Sequence, residues 1–135
     1  MSKAKTTKHS VYNLNYHIVF VTKYRHKVLI GDVEDYVKFR MEELCKQYGW
    51  EMLALEVMPD HIHLFVSADP KVAPLAIAST IKSILTVDIF KKFEGLKQKK
   101  FWGSGLFSRG TYYGSAGAVS AEIIKKYIEN QKFND

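Results

Sequence analysis

Apolar and polar positions along the chain follow two different periods. Residues 11–24 are crowded with Tyr, Val, Ile, Phe and Thr, a composition that suits a long strand near the centre of a sheet. From Asp32 to Tyr48 the spacing becomes helical: Val33, Val37, Met41, Leu44 and Tyr48 share one face, Asp32 is the expected N-cap, and Gly49 ends the run. Two strands follow, over 50–58 and 61–67. Only Pro59 and Asp60 separate them, which predicts a tight antiparallel hairpin. Pro70 and Pro74 bracket a loop, and residues 75–93 predict a helix that buries Ile77, Ile81, Ile84 and Leu85. A glycine-punctuated segment, 103–117, holds a strand over 106–113, and residues 118–133 read as a final helix. The order strand, helix, strand, strand, helix, strand, helix predicts an α+β fold. It is ferredoxin-like, or RNA-recognition-motif-like, with helices on one face of an antiparallel sheet and an added C-terminal helix that carries Tyr127.

Composition narrows this picture. A chain of 135 residues, 47% of them hydrophobic, predicts one compact domain over 1–135, with the basic, polar residues 1–10 as a mobile tail. A net charge of +6, from 20 Lys and Arg against 14 acids, favours a polyanionic partner. Cys45 is the sole cysteine, which excludes an internal disulfide and a cysteine-rich zinc site and fits a reduced, cytoplasmic setting. The sequence has neither the apolar run of a signal peptide nor that of a membrane span, so no membrane partner is expected.

The candidate chemistry centres on the hairpin. Side chains alternate along a strand, so His61, His63 and Phe65 share one face while Ile62, Leu64 and Val66 share the other. The apolar triplet should face the core, which leaves the histidines on the opposite, more open face. A surface pair or a hydrogen-bonded structural pair is the bland alternative. Against it, two imidazolium ions side by side would repel, and a bound divalent cation removes that conflict. Nitrogen ligands suit Mn²⁺, Zn²⁺ or Ni²⁺, and phosphate oxygens in the open positions make Mg²⁺ workable. Asp60 reads either as a turn residue or as a group that orients an imidazole. On the last helix Tyr127 and Gln131 lie one turn apart on one face, with Lys125 and Lys126 favouring a phenolate; an apolar stripe with Val119, Ile123, Ile124 and Ile128 is the competing reading of Tyr127.

The stretch Tyr16-His17-Ile18-Val19-Phe20-Val21-Thr22-Lys23-Tyr24-Arg25, the block Met58-Pro59-Asp60-His61-Ile62-His63-Leu64, Phe101-Trp102-Gly103, and Tyr127-Ile128-Glu129-Asn130-Gln131 together resemble the single-tyrosine HUH transposases of bacterial and archaeal insertion sequences, the TnpA type. The resemblance spans nearly the whole chain, while the run Lys82-Ser83-Ile84-Leu85-Thr86 fits the family pattern only loosely. It implies His61, His63 and Gln131 as ligands of Mg²⁺ or Mn²⁺, Tyr127 as the nucleophile, and a homodimer in which the tyrosine helix can dock on the histidine face of the partner subunit. It implies cleavage and rejoining of single-stranded DNA through a 5′-phosphotyrosine, at an imperfect hairpin near an element end. Independently of the resemblance, the glycine-containing segment 114–117 ahead of the last helix reads as a hinge, which serves docking in cis or in trans. For the DNA surface, Lys23, Arg25, Lys27, Lys91, Lys92, Lys97, Lys99 and Lys100 are candidates to follow phosphates, and Trp102, Phe107 and Tyr112 to stack on bases. Two rival readings use the same fold: a non-catalytic nucleic-acid-binding module of RNA-recognition type, and a domesticated relative that processes chromosomal repeats.

Overall fold

The computed structural model describes residues 5–6, 11–12, 14–101, 105–115 and 129. In chain order the elements are β1 (Lys5–Thr6), β2 (Val11–Tyr12), β3 (Asn15–Thr22), α1 (Gly31–Tyr48), β4 (Glu51–Met58), β5 (His61–Ser67), α2 (Pro74–Lys92), α3 (Leu96–Phe101) and β6 (Phe107–Ser115). The first two strands pair with each other as a small ribbon, inside and beside the stretch expected to be a tail. The other four form one antiparallel sheet in the order β4-β5-β3-β6, the ferredoxin-like arrangement expected from the sequence. The C-terminal helix expected over 118–133 falls, but for Glu129, outside the described residues.

One face of the sheet carries the core. Ile18 and Phe20 of β3 and Ile62, Leu64 and Val66 of β5 pack with Val37, Met41 and Leu44 of α1 and Ile77, Ile81, Leu85 and Ile89 of α2. Each fully buried side chain of this size contributes roughly 1.5–3 kcal/mol. The two helices are further tied where Arg40 Nε donates to Asp88 at 2.9 Å. Among the described residues no helix is long and apolar enough to cross a membrane.

Several local expectations are corrected. The α1 helix starts at Gly31 with Ile30, not Asp32, in the N-cap position and no side-chain cap. Tyr48 is exposed rather than buried, and its ring stacks on Trp50, with centroids 4.9 Å apart. Gly114, placed in a hinge by the sequence, is a strand residue opposite His17, where a β-carbon would collide with the Tyr112 hydroxyl.

Candidate active site

Strand pairing builds the site. The Pro59-Asp60 turn launches β5, and it is pinned from behind: Thr22 N–H donates to the Asp60 carbonyl at 3.0 Å and Leu29 N–H to the Pro59 carbonyl at 2.9 Å. His61 is therefore the first residue of a strand whose start cannot drift. Register then sets the neighbours, with Val21 opposite His61, Val19 opposite His63, and His17 opposite Phe65. On the other side of β5, Met58 faces His61 and Glu56 faces His63.

The two imidazoles do share a face, with ring centroids 4.9 Å apart. That face is less open than expected, since Val19 and Val21 are fully buried and His17 is only 3% exposed. The reason is position: β3 lies inside the sheet, and its residues on this face are flanked by the rings of β5 and by Tyr112 of β6.

Each histidine has a partner on Nδ1. Asp60 Oδ1 lies 2.7 Å from Nδ1 of His61, and the other carboxylate oxygen accepts from Arg25 Nε at 3.2 Å. Nδ1 of His63 lies 3.0 Å from Nε2 of His17. A carboxylate only accepts, so Nδ1 of His61 bears the proton and Nε2 is the atom left to bind a ligand. Asp60 is thus both a turn residue and an orienting group.

Electrostatics keep His63 available to a cation. Burial pulls the His63 pKa down to about 4, with His61 and His17 adding to the effect and Glu56 opposing it. The repulsion expected between two imidazolium ions is resolved in this way, by neutrality. Burial likewise lowers His17. Burial works against ionisation of Asp60, but hydrogen bonds and charge from His61 and Arg25 outweigh it, so its carboxyl sits below the usual value. Among the described residues no three His, Cys, Asp or Glu side chains cluster to hold a metal. His61 and His63 would suit a divalent cation as two nitrogen ligands, each with an orienting partner at Nδ1.

The segment after β3 turns sharply. Tyr24 and Arg25 both take left-handed backbone conformations, at φ 57° and 54°. This costs on the order of 1–3 kcal/mol per residue and is tolerated where contacts over-determine the turn; here Arg25 ends on Asp60. Arg25, expected to follow phosphates, is engaged in orienting the site, while Lys27 is exposed. Lys91 and Lys92 ride on α2, which packs on the other face of the sheet, and Lys92 Nζ lies over the Tyr36 ring. Phe107, expected to stack on bases, is a core residue. Tyr112 does lie on the histidine face, edge-on to His17 with centroids 5.8 Å apart. Trp102, Tyr127 and Gln131 fall outside the described residues.

Sequence reasoning missed the parts played by His17, Arg25 and Glu56. His17 carried a signal, a histidine in phase with Val19 and Val21 on a central strand, but its use depends on which strand pairs with which and in what register.

Over residues 10–131 the sequence matches the family described as IS200-like transposases. The chain belongs to that family. Among relatives of this IS200-like transposase, the ISDra2 transposase TnpA of Deinococcus radiodurans is 36% identical over 121 residues, which cover 90% of this chain and 86% of the relative. The transposase for insertion sequence element IS200 of Salmonella typhimurium is 30% identical across 100% of this chain and 90% of its own length. A crystal structure of a Deinococcus radiodurans protein described as a transposase superposes with a TM-score of 0.86 at 35% identity, covering 94% of this chain and 97% of the other. A REP-associated tyrosine transposase bound to a REP hairpin shares the fold, with a TM-score of 0.57 at 12% identity over 96% of this chain and 69% of its own.

Proposed function

We propose that this IS200-like transposase, acting as a homodimer, cuts and rejoins single-stranded DNA at insertion-sequence ends, with Tyr127 as nucleophile and His61, His63 and Gln131 as ligands of Mg²⁺ or Mn²⁺. The observation that carries this reading is the pair of imidazoles on one strand face, each engaged at Nδ1, with Nε2 of His61 the atom left to coordinate and His63 kept neutral by burial. A divalent cation held there supplies positive charge against a phosphate oxygen. The Tyr127 oxygen attacks the scissile phosphorus and forms a 5′-phosphotyrosine as the bond to the 3′ oxygen breaks. The phenol's proton is lost and the departing oxygen gains one, so a 3′-hydroxyl is released. A second 3′-hydroxyl then attacks the phosphotyrosine and frees the phenol, so strands are rejoined without nucleotide hydrolysis. Family membership favours this enzyme over a binding module of RNA-recognition type. The hairpin bound by the REP-associated neighbour is in keeping with an imperfect hairpin as substrate, and the excess of basic residues with a polyanion.

The test incubates the protein with labelled single-stranded hairpin DNA and Mn²⁺ or Mg²⁺. A denaturation-resistant protein–DNA adduct is expected, lost with chelator, abolished in Tyr127→Phe and severely reduced in His61→Ala and His63→Ala. An undiminished adduct in Tyr127→Phe would refute the nucleophile.

A further inference from the structure

The two histidines of β5 are oriented by unlike partners. His61 has a carboxylate on Nδ1, whereas His63 has another imidazole, His17, whose Nε2 lies 3.0 Å away from a position 46 residues earlier in the chain. That imidazole is confined by two aromatic rings. It stacks on Phe65 with centroids 4.2 Å apart and an interplanar angle of 12°, meets the edge of Tyr112, and is 3% exposed. A ring so confined keeps its Nε2 aimed at His63.

Two imidazole nitrogens at hydrogen-bond distance share a single proton, so one donates and the other accepts. If His17 donated, Nδ1 of His63 would be the acceptor and its Nε2 would carry the N–H, with no lone pair for a cation. If His63 donates, its Nε2 lone pair is available beside that of His61. A carboxylate at position 17 would also accept, but an anion on this buried central strand would be costly to desolvate. A neutral imidazole performs the same task without charge.

We propose that His17 is a positioning residue, whose Nε2 accepts the Nδ1–H of His63 and so fixes His63 in the tautomer and ring plane that make Nε2 its cation-binding atom. The inference rests on the reading of His61 and His63 as metal ligands. It gives the site an asymmetric support, with a charged acceptor behind one ligand and a neutral acceptor behind the other.

Two measurements test it. In metal-free, ¹⁵N-labelled protein, long-range ¹H–¹⁵N correlation spectra read each tautomer directly. Nδ1–H is expected for both His63 and His17, and an Nε2–H His63 would overturn the assignment. Mn²⁺ titration followed by the free-ion electron paramagnetic resonance signal then compares native protein with His17→Phe and His17→Gln. Phenylalanine keeps the stack on Phe65 and loses the acceptor; glutamine places an amide oxygen near the former Nε2 and keeps one. The expected order is a loss of affinity of about 10- to 100-fold for His17→Phe, with His17→Gln within a few-fold of native. The reverse order, a harmless phenylalanine and a damaging glutamine, would mean that His17 only fills space, and would overturn the proposal. Should His17→Phe fail to fold, the tautomer of the native protein decides alone. A native protein with the expected tautomers and no Mn²⁺ binding would sink the metal reading itself and leave the hydrogen-bond assignment standing.

Discussion

Replacing Asp60 by alanine separates a residue that merely makes a turn from one that also orients the site. The side chain is nearly buried and holds two contacts, Nδ1 of His61 at 2.7 Å and Nε of Arg25 at 3.2 Å. The first is a short bond to a carboxylate, a class that contributes roughly 1.5–3 kcal/mol. The second involves an Arg25 side chain that is 32% exposed and can return to water, so it adds at most about 1 kcal/mol. The turn's backbone bonds from Thr22 and Leu29 do not depend on the carboxylate. Asp60→Ala should therefore lower stability by about 2–3 kcal/mol, read from urea unfolding. The carboxyl is held below its ordinary value of 3.8, so its contribution is present above that pH and is lost as pH falls further; the alanine variant should lack this acid-side dependence. Freed of its acceptor, His61 can take either tautomer, and Mn²⁺ affinity measured by calorimetry should drop about 10- to 100-fold. A variant that loses stability but binds Mn²⁺ as tightly as native protein would refute the orienting role and leave Asp60 a turn residue.

Three further outcomes are expected. Leu64→Ala, in the fully buried core under the histidine strand, should cost about 2–5 kcal/mol in denaturant unfolding. Burial raises the Cys45 thiol from 9.0 to about 11, so an unfolded chain releases this proton first as pH rises; stability should fall between those values by at most about 2.7 kcal/mol, and Cys45→Ala should flatten that slope. Lys82 Nζ lies 2.9, 3.2 and 3.3 Å from the carbonyls of Ser108, Arg109 and Gly110, so Lys82→Met should speed hydrogen exchange at the start of β6 and cost about 1–2 kcal/mol.

The fold was legible because its signals are local. Alternation over 61–67 and helical spacing at Val37, Met41, Leu44, Ile77, Ile81 and Leu85 each report a buried face without knowledge of the partner. The histidine pair was legible for the same reason, being a property of one strand. Nonlocal features were not: that β3 lies between β5 and β6, and so brings His17 to His63, follows from pairings across many residues. Boundaries failed where tertiary context overrode propensity. Ile30 displaced the better capping residue Asp32, and Tyr48 stays exposed while its ring stacks on Trp50, a residue of the core. Aromatic type could not separate Phe107, packed in the core, from Tyr112, on the histidine face.

The proposed function requires the Tyr127 phenol and the imidazoles of β5 to meet at one phosphate. Mass-spectrometric mapping of the nucleotide-bearing peptide, after digestion of the covalent adduct, tests this most directly. Nucleotide is expected on Tyr127 and on no other tyrosine. Nucleotide on Tyr112, which already lies on the histidine face, would contradict it.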